Sequence, residues 1–432
     1  MNTNLGLIAL ILLGLQAAPL AAAEEPVADD DRHVFTGAVD LSAIDVSSPF
    51  TTWLDHGEGK LRYDEDDNAL QFTRAFLEYR GRLTSTVVAH GVLNIEDTKE
   101  KTVDLTEAFL EWRPVPTTPW RLRTRLGAFY PKLSLENVDA GWSNAYALSA
   151  SAINTWIGEE LRTFGSEVRV SRVFSELPLT PEIAFEGAIF YGNDPTGALL
   201  NRRGWAIHDR QTGITSALPL PDVSAIEPWI PMPSDSADFK PFDEIDHRPG
   251  FYGGAEWRMG ESFRLKLFRY DNHGDPEAHD GSNYAWRTHF DHLGLQFTLP
   301  GDIGVISQWI DGVTRMGPDL GPWHVWDSDF DARFLLLTRA FGRHRLTARY
   351  DTFDVKPYND PEGYTNRDQG HAWTAGYLFD WSEHIRLGVE YLTIDTEHCD
   401  SDECAWVFNG LPRTTHQNQL QLSLRWQFQE RL

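Results

Sequence analysis

The chain has 432 residues and a formal net charge of −26, because 64 Asp and Glu residues outnumber 38 Lys and Arg residues. This excess of carboxylates argues against nucleic acid as a partner, since phosphate backbones are bound by basic surfaces. Beyond the N-terminus no apolar run approaches the roughly 20 residues that a transmembrane helix needs, which excludes a helical membrane protein.

The N-terminus has the pattern of a secretory signal. An apolar core at residues 5–15 is followed by Pro19 and by three alanines that end at Ala23. We predict a signal peptide over residues 1–23, with cleavage after Ala23. An N-terminal membrane anchor is the alternative, but Pro19 helps to end the run short of a bilayer span. No linker divides residues 24–432, so we expect them to form one domain.

Apolar and polar side chains alternate along the rest of the chain with a period of two residues, which is the spacing of a β-strand. In the clearest stretch, Leu122, Leu126 and Tyr130 share one face, and three arginines share the other. Sixteen such stretches predict strands at residues 34–44, 70–81, 83–95, 105–113, 120–130, 163–174, 182–191, 251–258, 263–271, 289–299, 303–310, 330–341, 345–353, 371–381, 385–393 and 417–428.

The connections between these stretches alternate in length. Seven are short, at about residues 80–83, 114–119, 175–181, 259–261, 300–302, 342–344 and 382–384. Eight are long, at about residues 45–69, 96–104, 131–162, 192–250, 272–288, 311–329, 354–370 and 394–416. This rhythm predicts an all-β fold, a transmembrane antiparallel β-barrel of about 16 strands with short periplasmic turns and long extracellular loops.

Aromatic residues are placed as in a membrane barrel. Eight tryptophans lie at or near the ends of predicted strands, where interfacial girdles are expected, although aromatics also favour strands in general: Trp53, Trp112, Trp120, Trp257, Trp286, Trp309, Trp381 and Trp426. The last strand closes on Phe428, as in the signal that the barrel-assembly machinery recognises, but four residues follow it. We therefore expect the outer membrane of a Gram-negative bacterium as the location, with its lipid and lipopolysaccharide as partners.

Cys399 and Cys404 are the two cysteines of the chain and lie five positions apart among acidic residues. In an exported protein, a close pair within a polar loop predicts a local disulfide. Metal binding by the neighbouring carboxylates is the alternative. We expect neither a metal nor a cofactor.

Arg121, Arg123 and Arg125 occupy alternate positions of one predicted strand, so their side chains share one face. Three guanidiniums facing lipid would be very costly, so we expect the row to face the lumen and to lower the barrier for anions. Further lumenal cations are expected at Arg80, Arg82, Lys132, Arg264, Lys266, Arg345, Arg349, Arg386 and Arg425. Carboxylates share the same predicted faces, at Glu78, Glu107, Glu111, Glu167, Glu186 and Glu390. If they pair with the arginines across strands, they cancel much of the positive field.

The arginine row and the segment after it resemble the phosphate-selective porin family. The matching residues are Arg121, Arg123 and Arg125, followed by GAFYPKLSLENVDAGWSNAYALSASAINTWIGEELRTFGSEVRV. The resemblance covers roughly residues 105–172 in sequence and the whole mature chain in architecture. It implies that the third long connection, residues 131–162, folds into the lumen and narrows it, and that the chain assembles as a homotrimer.

Residues 131–162 also indicate a constriction by themselves, because they are longer than a rim turn needs and mix small with apolar side chains. We expect the constriction at Asn137, Asp139, Trp142, Asn154 and Trp156. A helical turn is expected within residues 143–151. An external lid or a trimer contact is the alternative use of this connection. The proline-containing connection at residues 192–250 is expected to form an irregular external cap.

Together these patterns predict a porin that allows passive diffusion of small hydrophilic solutes with a bias toward anions, and phosphate is one candidate solute. No G-x-S-x-G, H-E-x-x-H or P-loop motif occurs in the sequence, so we do not expect an enzyme. The first alternative is a barrel without transport, which acts as a surface receptor or adhesion scaffold through its long loops. The second is a soluble secreted β-sandwich or carbohydrate-binding protein.

Overall fold

The computed structural model describes residues 32–96, 101–221, 238–281, 283–319, 324–357, 367–399, 405–408 and 410–432. The predicted signal peptide and Cys404 lie outside these ranges. Every structural statement below concerns the described residues.

Sixteen antiparallel strands form a closed barrel in which each strand pairs with the next one along the chain. They are β1 (His33–Ser47), β2 (Leu70–Arg82), β3 (Val87–Ile95), β4 (Val103–Trp112), β5 (Trp120–Phe129), β6 (Thr163–Val173), β7 (Pro181–Tyr191), β8 (Gly250–Met259), β9 (Phe263–Asp271), β10 (Arg287–Leu299), β11 (Ile303–Asp319), β12 (His324–Phe341), β13 (His344–Pro357), β14 (Asp368–Asp380), β15 (Ile385–His398) and β16 (Thr414–Arg431). β1 and β16 close the barrel with a register that runs from Val34 opposite Arg431 to Ser47 opposite Asn418. The predicted fold class and the predicted number of strands are confirmed.

The prediction of a sixth long connection at residues 311–329 is wrong. β11 continues to Asp319 and β12 begins at His324, so most of residues 311–329 is paired strand. Thr314 and Met316 point into the barrel and are buried, while the alternate residue Asp311 points outward and is exposed. The alternation continues, but polar residues take the outward positions. Because the outward residues of a membrane-spanning strand are expected to be apolar, a polar outward face predicts a loop in this stretch.

The outer face of the barrel carries the apolar side of the alternation. In β16, Leu420, Leu422, Leu424 and Trp426 all point outward and are exposed. Six of the eight tryptophans at predicted strand ends are exposed in the same way: Trp112, Trp120, Trp257, Trp309, Trp381 and Trp426. The girdle prediction is wrong for Trp53 and Trp286, which are buried.

The third connection folds into the lumen, as predicted, and contains helix α1 (Ala152–Glu160), whose nine residues are all buried. The helical turn expected within residues 143–151 is a wrong prediction. The helix begins only after Ser151, whose hydroxyl caps it by accepting the backbone N–H of Asn154. The capping serine marks the true start, because its oxygen satisfies an N–H that has no partner within the helix.

The fourth connection is not only an external cap, which corrects that prediction. It contains a second helix, α2 (Ala198–Arg202), and its residues around Trp205 and Ile207 are buried against the third connection. Its prolines beyond residue 221 lie largely outside the described ranges, whereas Leu200, Trp205 and Ile207 supply an apolar surface that must leave water. A short helix α3 (Ala405–Phe408) lies in the last long connection. None of the described helices is both long and apolar enough to span a bilayer.

Candidate functional site

The third connection crosses the lumen and is fixed to several parts of the barrel wall. The backbone N–H of Leu135 donates to Gln308 of β11 at 2.9 Å. The N–H of Gly141 donates to Glu78 of β2 at 2.8 Å. Since β2 and β11 lie well apart around the barrel, the connection spans the lumen rather than following one wall.

Arg349 of β13 holds the middle of this connection. Its guanidinium donates to the carbonyl oxygens of Ser149 and Ala150 at 2.8 Å each, and it also bonds Asp351 at 2.8 Å and contacts Glu136 at 3.4 Å. Arg349 is completely buried. The expectation that it lines an open pore is therefore wrong, because the third connection covers it.

A carboxylate of another wall strand completes this anchor. Glu390 of β15 accepts the backbone N–H groups of Leu148 and Ser149 at 2.7 and 3.0 Å. Buried carboxylates are stabilised by hydrogen bonds to backbone N–H groups. The lumenal path of the third connection is thus set by polar side chains of the wall.

Below the third connection, toward the short turns, lies a cavity of about 480 Å³ that we call the arginine chamber. Its basic lining residues are Arg80, Arg113, Arg121, Arg123, Arg125, Lys132, Arg169, Arg258, Arg264 and Lys266. Its carboxylates are Glu78, Glu107, Glu111, Asp139, Glu182 and Glu256. Ten basic side chains face six acidic ones in this lining. Glu167 and Glu186 lie behind the lining and pair with Arg125, Arg169 and Lys266, so the excess of positive charge around the chamber is two.

The predicted arginine row shows a gradient of burial along β5. Arg125 is buried and makes a two-fold hydrogen bond to Glu167 of β6, with both N–O distances at 2.8 Å. Arg123 is half-buried and lies 3.7 Å from Glu111. Arg121 is exposed to the chamber, and none of the described carboxylates pairs with it. The pairing between strands that the sequence left open is present at Arg125 and weakens toward the short-turn end.

The other predicted cations divide into groups. Arg80, Lys132, Arg264 and Lys266 line the chamber. Arg386 and Arg425 line a second, smaller space of about 40 Å³ on the side of β14, β16 and β1. Arg345 lies beneath the ring of Tyr146, and Arg82 lines neither space. The placement of these two in an open lumen is not supported by the geometry.

Three chamber cations were missed by sequence reasoning: Arg113, Arg169 and Arg258. Arg169 follows Glu167 by two positions, so the alternation that placed Glu167 in the lumen also places Arg169 there. Arg113 and Arg258 lie next to short turns, where strand ends are hardest to assign.

Residues 137–144 lie between the chamber and the smaller space. Asn137 and Trp142 line both the chamber and the smaller space, so they stand between the two. Asp139 lines the chamber and contacts Arg386 at 3.6 Å. Trp142 stacks on Tyr130 with ring centroids 4.1 Å apart and planes within 9° of parallel.

Asn154 and Trp156, also expected at the constriction, lie elsewhere. Asn154 is buried and donates to Glu136 and Gln308. Trp156 is packed between the rings of Trp205, Phe290 and Phe330 at centroid distances of 5.9, 5.5 and 5.4 Å. Both residues hold α1 in place rather than facing a solute, because every residue of the helix is buried against the surrounding protein.

Ionic contacts join the third and fourth connections. Arg203 makes a two-fold bond to Glu159 of α1, with both distances at 2.7 Å, and His208 contacts the same carboxylate at 2.9 Å. Burial acts to raise the pKa of Glu159, but Arg203 and His208 outweigh it and lower that pKa to about 2. Burial lowers the pKa of His208. The ring is therefore neutral near pH 7 and accepts the backbone N–H of Arg210.

The first connection belongs to the same assembly. Lys60 pairs with Asp368 of β14 at 2.6 Å, and Arg62 pairs with Asp209 of the fourth connection at 2.8 Å. Lys60 and Arg62 are both buried. Parts of three connections thus fill the end of the lumen opposite the short turns. We call this packed region the loop plug.

The described residues offer one grouping suited to a cation. Oxygens of Asp194, Glu244 and Asp246 lie within 4.8 Å of one another. Backbone N–H groups already bond Asp194 and Glu244, so the cluster also organises the return of the fourth connection to the wall. Cys399 is disulfide-bonded. Because Cys404 lies outside the described residues, its pairing with Cys399 stays a prediction.

No protein-family model and no curated protein matches the chain. Among solved structures, it is similar to the outer membrane channel DcaP of Acinetobacter baumannii, with 11% identity over 91% of this chain and 97% of that one, at a TM-score of 0.50. It is also similar to Salmonella typhi OmpF in complex with daunomycin, with 8% identity over 92% of this chain and 98% of that one, again at 0.50. The barrel has the porin fold. At such low identity, these similarities establish the fold alone.

Proposed function

We propose that this porin-fold barrel is an outer-membrane channel for passive diffusion of small hydrophilic solutes, with a bias toward anions. The observation that carries the proposal is the positively charged arginine chamber inside a chain whose net charge is −26. A local excess of positive charge against that background concentrates anions inside the lumen. Phosphate is one candidate solute, since Arg can donate two hydrogen bonds to one phosphate.

The chamber differs from an uninterrupted arginine ladder. Arg125 is neutralised by Glu167, so its charge contributes little field to a passing ion. Arg121, exposed and next to the short-turn end, is the member of the row best placed to attract an anion. A unit charge about 7 Å away in water contributes roughly 0.6 kcal/mol. That corresponds to about a threefold local enrichment of a monovalent anion.

The test is the reversal potential of the purified barrel in a planar bilayer under a potassium chloride gradient. We expect chloride selectivity in the wild type. At low salt, Arg121→Gln should lower the chloride-to-potassium permeability ratio about sevenfold, because the charge that enriches chloride about threefold depletes potassium by the same factor. The control is Arg172→Gln. Arg172 lies on the neighbouring strand at the same height as Arg121, because Ser171 is the residue opposite Arg121. The side chain of Arg172 points out of the barrel and stacks on the exposed ring of Trp120. Both variants lose one charge, but only the first loses it from the lumen.

Two results would contradict the anion bias. One is cation selectivity in the wild type. The other is an equal response to both substitutions, which would mean that the net charge of the chain matters and the chamber does not. The contrast should also fade above about 1 M salt, where the Debye length falls to about 3 Å.

The loop plug favours a second candidate, a barrel without transport that presents its long loops as a receptor or adhesion scaffold. All nine residues of α1 are buried, and the fourth connection is packed against them. Bilayer recordings separate the two functions. A channel conducts as the intact chain, and its conductance rises when residues 131–162 are deleted, whereas a scaffold is silent as the intact chain.

The rest of the biological setting belongs to the same proposal. It comprises export by the signal peptide at residues 1–23, insertion by the barrel-assembly machinery, contact with outer-membrane lipid and lipopolysaccharide, and a homotrimeric assembly. Extraction that requires detergent, and migration on a gel that changes on heating, would support the membrane location.

A further inference from the structure

Trp142 has a backbone conformation that disfavours a large side chain. Its φ is +55°, in the left-handed region, directly after Gly141 at +61°. Glycine takes this region freely, whereas a bulky residue there is uncommon and strained. A tryptophan at such a position indicates that the ring has a use at this place in the lumen.

The ring of Trp142 forms the end of a stack. The guanidinium of Arg162 lies 3.4 Å from the centre of the Tyr130 ring, whose other face is covered by Trp142. Across the described part of the chain, Trp142 makes no second stacking contact with a ring or a cation. The ring is half-buried and lines both lumenal spaces, so part of it is open to a solute.

The stack stands close to the positive charges of the chamber. One oxygen of Glu78 accepts the N–H of Gly141, the residue before Trp142, and the other bonds the guanidinium of Arg80 at 3.0 Å. Arg80 and Arg121 line the same chamber as Trp142. An apolar planar surface and guanidinium groups are therefore accessible from one cavity of about 480 Å³.

We propose that Trp142 and the arginine chamber together bind planar aromatic carboxylates, with the aromatic ring of the ligand stacked on Trp142 and its carboxylate among the guanidiniums. Stacking selects a flat conjugated ring over a puckered ring of similar size, and the arginines select the negative charge. The inference rests on the proposed function for the route of the ligand to the chamber. Binding itself does not require that the barrel conducts.

The experiment compares benzoate with cyclohexanecarboxylate, which have the same charge and similar size but differ in planarity. Equilibrium dialysis with the purified full-length barrel in detergent measures both dissociation constants. We expect benzoate to bind between about two- and twelvefold more tightly, the range of one aromatic pair. In Trp142→Gly the preference for benzoate over cyclohexanecarboxylate should fall to the preference that detergent micelles without protein show. Glycine suits the left-handed backbone, so the loop keeps its path.

Two further variants complete the test. Val138→Ala trims another side chain of the same chamber and should leave the benzoate preference unchanged. Trp142→Phe keeps a smaller ring and should retain part of the preference. An equal affinity for the two probes in the wild type overturns the inference, and so does a preference that persists in Trp142→Gly. If the channel proposal is wrong, the bilayer recordings show no anion selectivity. That outcome does not change the dialysis result, because dialysis measures binding and not conduction.

Discussion

Arg349→Met removes the cation that seats the third connection. Arg349 donates to the carbonyl oxygens of Ser149 and Ala150 and offsets the buried carboxylates of Asp351 and Glu136. Removing one partner of a buried ion pair costs about 3–5 kcal/mol, because the remaining charge stays uncompensated. The pairing of β13 with β12 and β14 does not depend on this side chain. The cost should therefore be borne mainly by the seating of the third connection.

At 1.36 kcal/mol for each factor of ten, this loss shifts the balance between seated and displaced connection by roughly a hundredfold to a few thousandfold. We expect Arg349→Met to show larger and noisier single-channel conductance at neutral pH. The matched control is Arg345→Met on the same strand and face, since Arg345 lies beneath the ring of Tyr146 and bonds Thr338 instead of the loop carbonyls.

A gel shift on heating verifies that both variants form barrels. If Arg349→Met forms a barrel whose conductance and noise equal those of the wild type, the reasoning is refuted, because the guanidinium then does not hold the loop. Equal increases in both variants would refute it as well, since the bonds that Arg349 makes to the loop would then add nothing beyond the contact of Arg345 with the ring of Tyr146 in the same connection.

Three further predictions concern the loop plug and the arginine row. Burial raises the pKa of Glu160 in α1 to about 7 from 4.5, so protons favour the seated plug; seating should strengthen by up to about 3 kcal/mol as the pH falls from 7 to 4.5. Conductance should then fall with acidification, and Glu160→Gln should make the conductance depend less on pH. Protonation of His208 acts in the opposite direction, because burial lowers the pKa of that ring. Gly197→Ala should displace the fourth connection and raise conductance, because φ is +106° and a methyl group would lie 2.1 Å from a hydroxyl oxygen of Thr314; an unchanged conductance would contradict this. Arg125→Gln should lower the temperature of the heat-dependent gel shift while changing ion selectivity less than Arg121→Gln, since Arg125 is already neutralised.

The period-two alternation was sufficient to predict sixteen strands and the lumenal side of Arg121, Arg123 and Arg125. It could not show that Arg125 faces Glu167 while Arg121 has no such partner. The register of β5 against β6 is set across a connection of more than thirty residues, and the length of that connection leaves the register open. Neutralisation of an arginine depends on that register, so the sequence of one strand could not predict the electrostatic field of the arginine row.

The loop plug was the least predictable feature. Leu200, Trp205 and Ile207 lie in a long connection without helical or strand periodicity, so nothing in their spacing indicated what would cover them. The burial of Trp205 follows from its ring contacts with Trp156 and Phe330 across the lumen. The extended ends of β11 and β12 were missed for a related reason, because a polar outward face is typical both of a loop and of a wall that rises out of the lipid.

The arginine chamber lies near one end of the barrel, close to the short turns, and the packed connections lie at the other. An anion that approaches from the short-turn side meets the cations of the chamber first, Arg121 among them, whereas one from the opposite side must first pass the loop plug and then Trp142. The two directions of travel therefore face different sequences of wells and barriers. We therefore predict that the proposed channel rectifies: its current–voltage curve should be asymmetric, and the sign of the asymmetry should report which way the barrel has inserted into a bilayer.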